Sequence, residues 1–221
     1  MNIIKPEKPD KADHPKVSNY ELMRDLMEKE FLKYDQQKMI EKFHLKNNEQ
    51  YLYLNFVGRE CRIGRSDGKV EYQDVEYQES ETKVWVHADY NISMTIFDVL
   101  CCSKADCHLS GTYASINNVK KGIPMTSAGA GMFQKESSFF AGCSEKLKSA
   151  CERLGGIPQQ SADVSYMIML FDFLPVILQF WDADEEFDAV LKIMWDTNIL
   201  DYMHFETTFF AVGHLLSRLM E

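Results

Sequence analysis

The sequence predicts an α+β fold: a mainly antiparallel sheet packed by several helices, with an amino-terminal helical pair and a closing carboxy-terminal helix. Three observations predict it. Apolar residues recur at three- and four-residue steps near both ends of the chain. Between those stretches, apolar runs alternate around strong turn signals. The most apolar segment, residues 164–181, is broken by Asp172 and Pro175, so it reads as two buried strands and not as one long helix.

Each element follows from its residues. Ser18 and Glu21 have the spacing of a capping box, and Met23, Leu26, Met27, Phe31 and Tyr34 behind them form one helical stripe. Asp35 can cap a second, shorter helix carrying Met39, Ile40 and Phe43. Residues 51–56 are an aromatic and leucine-rich strand, and Cys61 and Ile63 resume after Gly58. Ser66, Asp67 and Gly68 make a turn, with alternation returning at Val70 and Tyr72. Arg59, Arg62 and Arg65 are either outward-facing edge charges or an anion clamp. The Glu71-Tyr72-Gln73 triplet recurs as Glu76-Tyr77-Gln78, an echo too short for a structural repeat. Val84, Trp85 and Val86 form a strand, and Ser93 caps a helix through Met94, Ile96, Phe97, Leu100 and Cys101.

From Lys104 to Lys135 the chain is rich in glycine and small polar residues, with a strand expected only from Tyr113 to Val119. Residues 127–131 look like part of a phosphate loop but lack its Lys-Ser/Thr and the full glycine pattern of a dinucleotide turn. They read as a mobile loop or as a lid. A helix from Phe139 to Leu154 turns Cys143, Leu147 and Ala150 inward and ends at Gly155-Gly156. Leu191, Ile193 and Trp195 form another strand. In the last helix Phe205, Phe209, Val212, Leu216 and Leu219 fall within about 40° of one line, with His214 about 180° from Phe205. Phe210 and Gly213 populate the second face, which suggests close packing there.

Composition bounds the function. The 221 residues carry 34 acidic and 24 basic side chains, a net charge of −10, which repels phosphate backbones and disfavours nucleic acid as a partner. No segment is long and apolar enough for a membrane span, and residues 1–17 read as a flexible polar arm without a secretory leader. Residues 18–221 are expected to form a single domain in the cytoplasm. Six cysteines at 61, 101, 102, 107, 143 and 151 are expected to be reduced. Cys101, Cys102, Cys107 and His108 lack the paired spacing of a zinc site, so small buried hydrophobes are the simpler reading. Met167, Met169 and Met194 read as core filler.

The chemistry-bearing segment is acidic. Asp182, Asp184, Glu185, Glu186 and Asp188 follow Phe180 and Trp181, and Asp196 follows Trp195. Carboxylates leaving two neighbouring strand ends can converge on a hard cation. The expected metal ligands are Asp182, Asp184, Asp196, His204 and Glu206, and the wider ligand-binding set is Trp181, Asp182, Asp184, Glu186, Asp196 and His214. Glu206 and His214 cannot both hold one ion directly, since eight helical residues separate them by about 12 Å. The simpler alternative is a solvated loop between apolar strands. The run Gly64-Arg65-Ser66-Asp67-Gly68 has the G-x-S-x-G spacing, but it is the turn between two strands and not the strand-to-helix elbow that a nucleophile needs, and His87 stands alone.

Several of these stretches together resemble a known family. They are residues 56–60 (Phe-Val-Gly-Arg-Glu), the Ser66-Asp67-Gly68 turn, Leu154-Gly155-Gly156, residues 180–187 (Phe-Trp-Asp-Ala-Asp-Glu-Glu-Phe), Trp195-Asp196 and residues 213–216 (Gly-His-Leu-Leu). They resemble the prokaryotic domain-of-unknown-function family 3786, from about Tyr20 to Met220, and residues 181–187 are the most specific part. The resemblance implies an intracellular protein of bacteria or archaea, many members coming from anaerobes and some being joined to an iron–sulfur-binding segment. This chain has no closely spaced cysteine run of that kind. The functional expectation is a cytosolic binding or accessory protein without autonomous catalysis, tied to anaerobic metabolism through an unidentified protein or small-molecule partner. The alternatives are a metal-assisted enzyme using the acidic cluster, and an oligomer that buries the Phe210/Gly213 face. The sequence names no cofactor.

Overall fold

The structure, a computed structural model, describes residues 18–74, 84–119 and 133–221. The amino-terminal arm, the second copy of the Glu-Tyr-Gln echo and the glycine-rich residues 127–131 lie outside the described residues.

The amino-terminal pair is present as α1 (Asn19–Phe31) and α2 (Gln36–Phe43). Ser18 and Glu21 close the capping box, and the Asp35 carboxylate accepts from the amides of Gln37 and Lys38. Strands β1 (Lys46–Asn47), β2 (Tyr51–Phe56), β3 (Arg59–Gly64), β4 (Val70–Asp74) and β5 (Val84–His87) follow as an antiparallel meander in sequence order. The β2–β3 turn is two residues long, Val57 and Gly58, both with left-handed backbone at φ 48° and 70°. Such a turn matches the natural twist of a hairpin but strains a β-branched valine. Val57 is held there by full burial and by its amide, which donates to the Leu170 carbonyl at 2.8 Å.

Helix α3 (Tyr90–Cys102) starts three residues before the expected cap. Asp89 accepts from the Ile92 amide at 2.9 Å, while Ser93 is buried inside the helix. The strand expected over Tyr113 to Val119 is only β6 (Tyr113–Ser115), and the chain then coils into the single turn α4 (Ile116–Val119). The helix expected from Phe139 is two, α5 (Gln134–Phe140) and α6 (Ser144–Arg153), broken at Gly142 with φ 69°. Cys143 lies in that break and is exposed, so it does not join Leu147 and Ala150 in the core.

The second sheet contains β6, β7 (Ile157–Pro158), β8 (Val164–Phe171), β9 (Leu174–Trp181) and β10 (Val190–Asp196), in the spatial order β6-β10-β9-β8-β7. The break between β8 and β9 falls at Asp172, as its polar residue requires. After the turn α7 (Ile199–Tyr202), α8 (Phe205–Met220) buries Val212, Leu216 and Leu219. Phe210 packs edge-on against Tyr90 at 5.8 Å, whereas Gly213 is exposed with nothing near it.

The two sheets meet at their hairpin ends. Besides the Val57–Leu170 bond, the Asn55 amide donates to the Asp172 carboxylate at 3.0 Å. A column of nearly parallel rings threads the junction: Phe43 on Phe173, Phe173 on Phe171, Phe171 on Phe56, and Phe56 on His214. His214, opposite Phe205 on α8, is thus packed into the junction.

The three arginines have partners. β3 is an interior strand, so Arg59 and Arg62 are not edge charges: Arg62 pairs with Glu71 at 2.7 Å and Arg59 with Glu221 at 3.1 Å. Arg65 donates to the Gln36 side chain and the Asn48 carbonyl. Each guanidinium group is held by a different partner, although Arg59 Nε is buried without one, so the three do not converge into an anion clamp.

Candidate functional site

Antiparallel pairing decides the fate of the acidic cluster. Val190 lies opposite Trp181 and Trp195 opposite Val176, so Asp182 and Asp196 leave opposite ends of the β9–β10 hairpin. At about 3.3 Å per residue they stand roughly 20 Å apart, too far to share an ion. Convergence would have required neighbouring strands that end at the same edge.

Each carboxylate has a local task instead. Asp182 accepts from the Gly142 amide at 2.7 Å and the Ser144 hydroxyl at 2.8 Å, fixing the break between α5 and α6. These donors, the Gly142 amide foremost, hold its carboxyl below the usual carboxylate range. Asp184 accepts from the amides of Glu186 and Phe187 in its own turn, and Glu186 is exposed. Asp196 is fully buried. It accepts from the amides of Ser110, Gly111 and Asn198 at 3.0, 2.9 and 2.8 Å. Burial pushes its carboxyl up, but the Asn198, Ser110 and Gly111 amides and the Ser110 hydroxyl outweigh that and leave it below its ordinary value.

Glu206 is exposed in the first turn of α8, where its charge complements the helix dipole. His204, the residue capping that helix, pairs through Nδ1 with Asp98 Oδ1 at 2.5 Å. His214 stacks on Phe56 with its Nε2 buried and without a partner. Burial, then Arg59, push its pKa down to about 4, so it is neutral and poorly placed to charge. Trp181 is half-buried, with the Lys192 ammonium 4.9 Å above its ring.

Beside that lysine the described residues line an open cavity of about 640 Å³. It runs along β10 from Val190 to Trp195 and is flanked by α4 and by Thr208, Phe209 and Val212 of α8. Its size falls in the range of small-molecule sites, which are mostly apolar with a few placed polar groups. Gln179, Lys192, Asn117 and Asn118 supply those groups. Asn117 stands out, because its side-chain Oδ1 is buried and accepts no hydrogen bond. An unsatisfied buried acceptor costs about 1–3 kcal/mol.

The sequence reading missed the cavity, which Trp181 does not line. Asn117 carries no signal of its own, since only the coiling of α4 after β6 turns it toward β10. It also missed Asp98, which the spacing to Cys102, one helical turn along, could have flagged. The grouping of Cys101, Cys102, Cys107 and His108 does not form. His108 bonds to the Asp106 carbonyl and contacts Asn198, and all six cysteines are free.

No curated protein and no solved structure matches the chain. The sequence model of one family, described as a domain of unknown function, DUF3786, matches residues 35–218, and the quoted motifs at 56–60, 180–187 and 213–216 all lie inside that span. The chain belongs to the DUF3786 family.

Proposed function

We propose that this is a small-molecule-binding accessory protein without autonomous catalysis, with the ligand seated in the cavity between β10, α4 and α8. The cavity carries the reading: its size, its mostly apolar walls and the Asn117, Asn118 and Gln179 side chains along it suit a small molecule. The ligand is then a compound with an apolar body for Val190, Met194 and Val212, and an N–H or O–H group for Asn117. An anionic end is favoured by Lys192, which lines the cavity and is exposed to water. A cytosolic location fits six free cysteines, which an oxidising compartment would tend to pair.

A suitable probe is anilinonaphthalene sulfonate, which combines an apolar body, one N–H donor and one anion. Saturable one-to-one binding to the native protein is expected, with affinity reduced about tenfold by Asn117→Leu, in keeping with one lost hydrogen bond. Met194→Trp, which fills the space, should abolish binding. Binding unchanged by Met194→Trp, or no saturable binding at all, sinks the proposal.

A further inference from the structure

A separate cluster lies where α3 ends. Asp98 and Cys102 stand four residues apart and so share one face of that helix. His204 reaches them from the start of α8. The Asp98 side chain is only 9% exposed, while the His204 ring is 68% exposed and Cys102 is also exposed. One carboxylate oxygen, one ring nitrogen and the thiol sulfur all lie within 4.8 Å of one another.

The frame around them is fixed before any ion arrives. Asp98 Oδ2 accepts from the His204 amide at 2.7 Å, locking α3 to α8. Beyond Cys102, the Lys42 ammonium donates to the Ser103 carbonyl and hydroxyl at 3.0 and 2.7 Å. The Lys104 amide donates to the Asp201 carbonyl at 2.8 Å, and its ammonium pairs with the Asp201 carboxylate at 2.5 Å. Both chain segments that bear ligands are therefore anchored in α2 and α7.

We propose that Asp98, Cys102 and His204 bind one divalent transition-metal ion of the zinc class. Nitrogen, oxygen and thiolate donors from three residues suit a tetrahedral zinc site with its fourth position open. The exposed His204 and Cys102 turn that position toward solvent, where water or a donor from another molecule completes it. The Asp98 carboxylate takes the His204 ring and amide, and the Cys102 thiol donates to the same carboxylate, so all three side chains already converge on one point. Binding replaces the 2.5 Å contact between His204 Nδ1 and Asp98 Oδ1, because two ligands on zinc stand about 3.3 Å apart. The solvent-facing imidazole has room to make that shift.

The test is a titration of the full chain, metal-free and with its thiols reduced, with Co²⁺ as the spectroscopic probe. One equivalent should saturate a thiolate-to-cobalt charge-transfer band and tetrahedral d–d bands, and Zn²⁺ should displace it. Cys102→Ser should remove the charge-transfer band. His204→Gln should weaken binding by more than about 100-fold, beyond the loss usual for residues that only support a ligand. Both positions are exposed, and circular dichroism of each variant should match the wild type. The proposal is overturned by the absence of a charge-transfer band at saturating cobalt, by its survival in Cys102→Ser, or by unchanged affinity in His204→Gln.

Discussion

A methyl group placed on Gly68 would lie 2.0 Å from the carbonyl oxygen of Glu28. The β3–β4 turn is thus pressed directly onto α1, at a residue that is buried and whose φ is 73°. Gly68→Ala should destabilise the protein by about 3 kcal/mol, because backbone must move on both sides of the contact. Gly111 has the same φ and nothing within 4 Å, so Gly111→Ala should cost only about 1 kcal/mol. Urea denaturation of the two variants separates the clash from the conformational strain.

Asp196→Ala should cost about 2–4 kcal/mol at neutral pH, since three inward-facing amides lose their acceptor in a buried place. The pH dependence has a definite sign. The folded carboxyl titrates below its unfolded value of about 3.9, so its contribution is present above that pH and fades as pH falls through the lower, folded value. Comparing wild type with Asp196→Asn by denaturation, the stability gap should be constant from pH 7 to about 5 and should shrink below about pH 4.

His214 behaves in the opposite half of the acid range. Its folded pKa of about 4 lies below the unfolded value of about 6.5, so the unfolded chain takes up the proton first. Burial is the main cause, Arg59 and Arg218 add to it, and Asp89 opposes them. Stability should therefore fall between about pH 6.5 and 4, by up to an amount on the order of 3 kcal/mol. His214→Phe keeps a ring against Phe56 and should flatten that part of the profile. A nuclear magnetic resonance titration showing His214 protonated at pH 6 would contradict the account.

Asp184→Ala should change stability by less than about 1 kcal/mol, because its carboxylate makes exposed bonds within its own turn, and Asp182→Ala should cost about 1–2 kcal/mol, because it releases Gly142 and Ser144. Neither substitution should alter the cobalt affinity of the cluster at Asp98. Spectroscopic titration of the double variant checks both statements, and a large loss of metal binding would return attention to the acidic segment.

Local chemistry made much of the fold legible. The Ser18–Glu21 box, the Asp35 cap, the turn at Gly68 and the break at Asp172 each act within a few residues, and all lie where the sequence puts them. Misreadings arose where two local signals compete or where distant residues decide. Ser93 has the composition of a cap, but Asp89 reaches the open amides first. Residues 139–154 read as one helix, yet Gly142 and the Asp182 carboxylate end one helix and start another there. The candidate sites were less legible for the same reason. Asp182 and Asp196 look adjacent along the chain, and strand direction separates them. Asp98 and His204 lie 106 residues apart in sequence, and helix packing brings them together.

The ring column has a consequence for motion. Phe56 and Phe171 are fully buried, each with a ring stacked on both faces: His214 and Phe171 flank Phe56, at 4.9 and 4.8 Å, and Phe56 and Phe173 flank Phe171. An aromatic flip sweeps the ring edge through the space that its stacked neighbours fill, so neither ring can turn while the column stays closed. Because Phe56 belongs to one sheet and Phe171 to the other, each flip waits for the sheets to part briefly. The flip rates of these two rings are then a built-in clock for the breathing of the junction between the sheets.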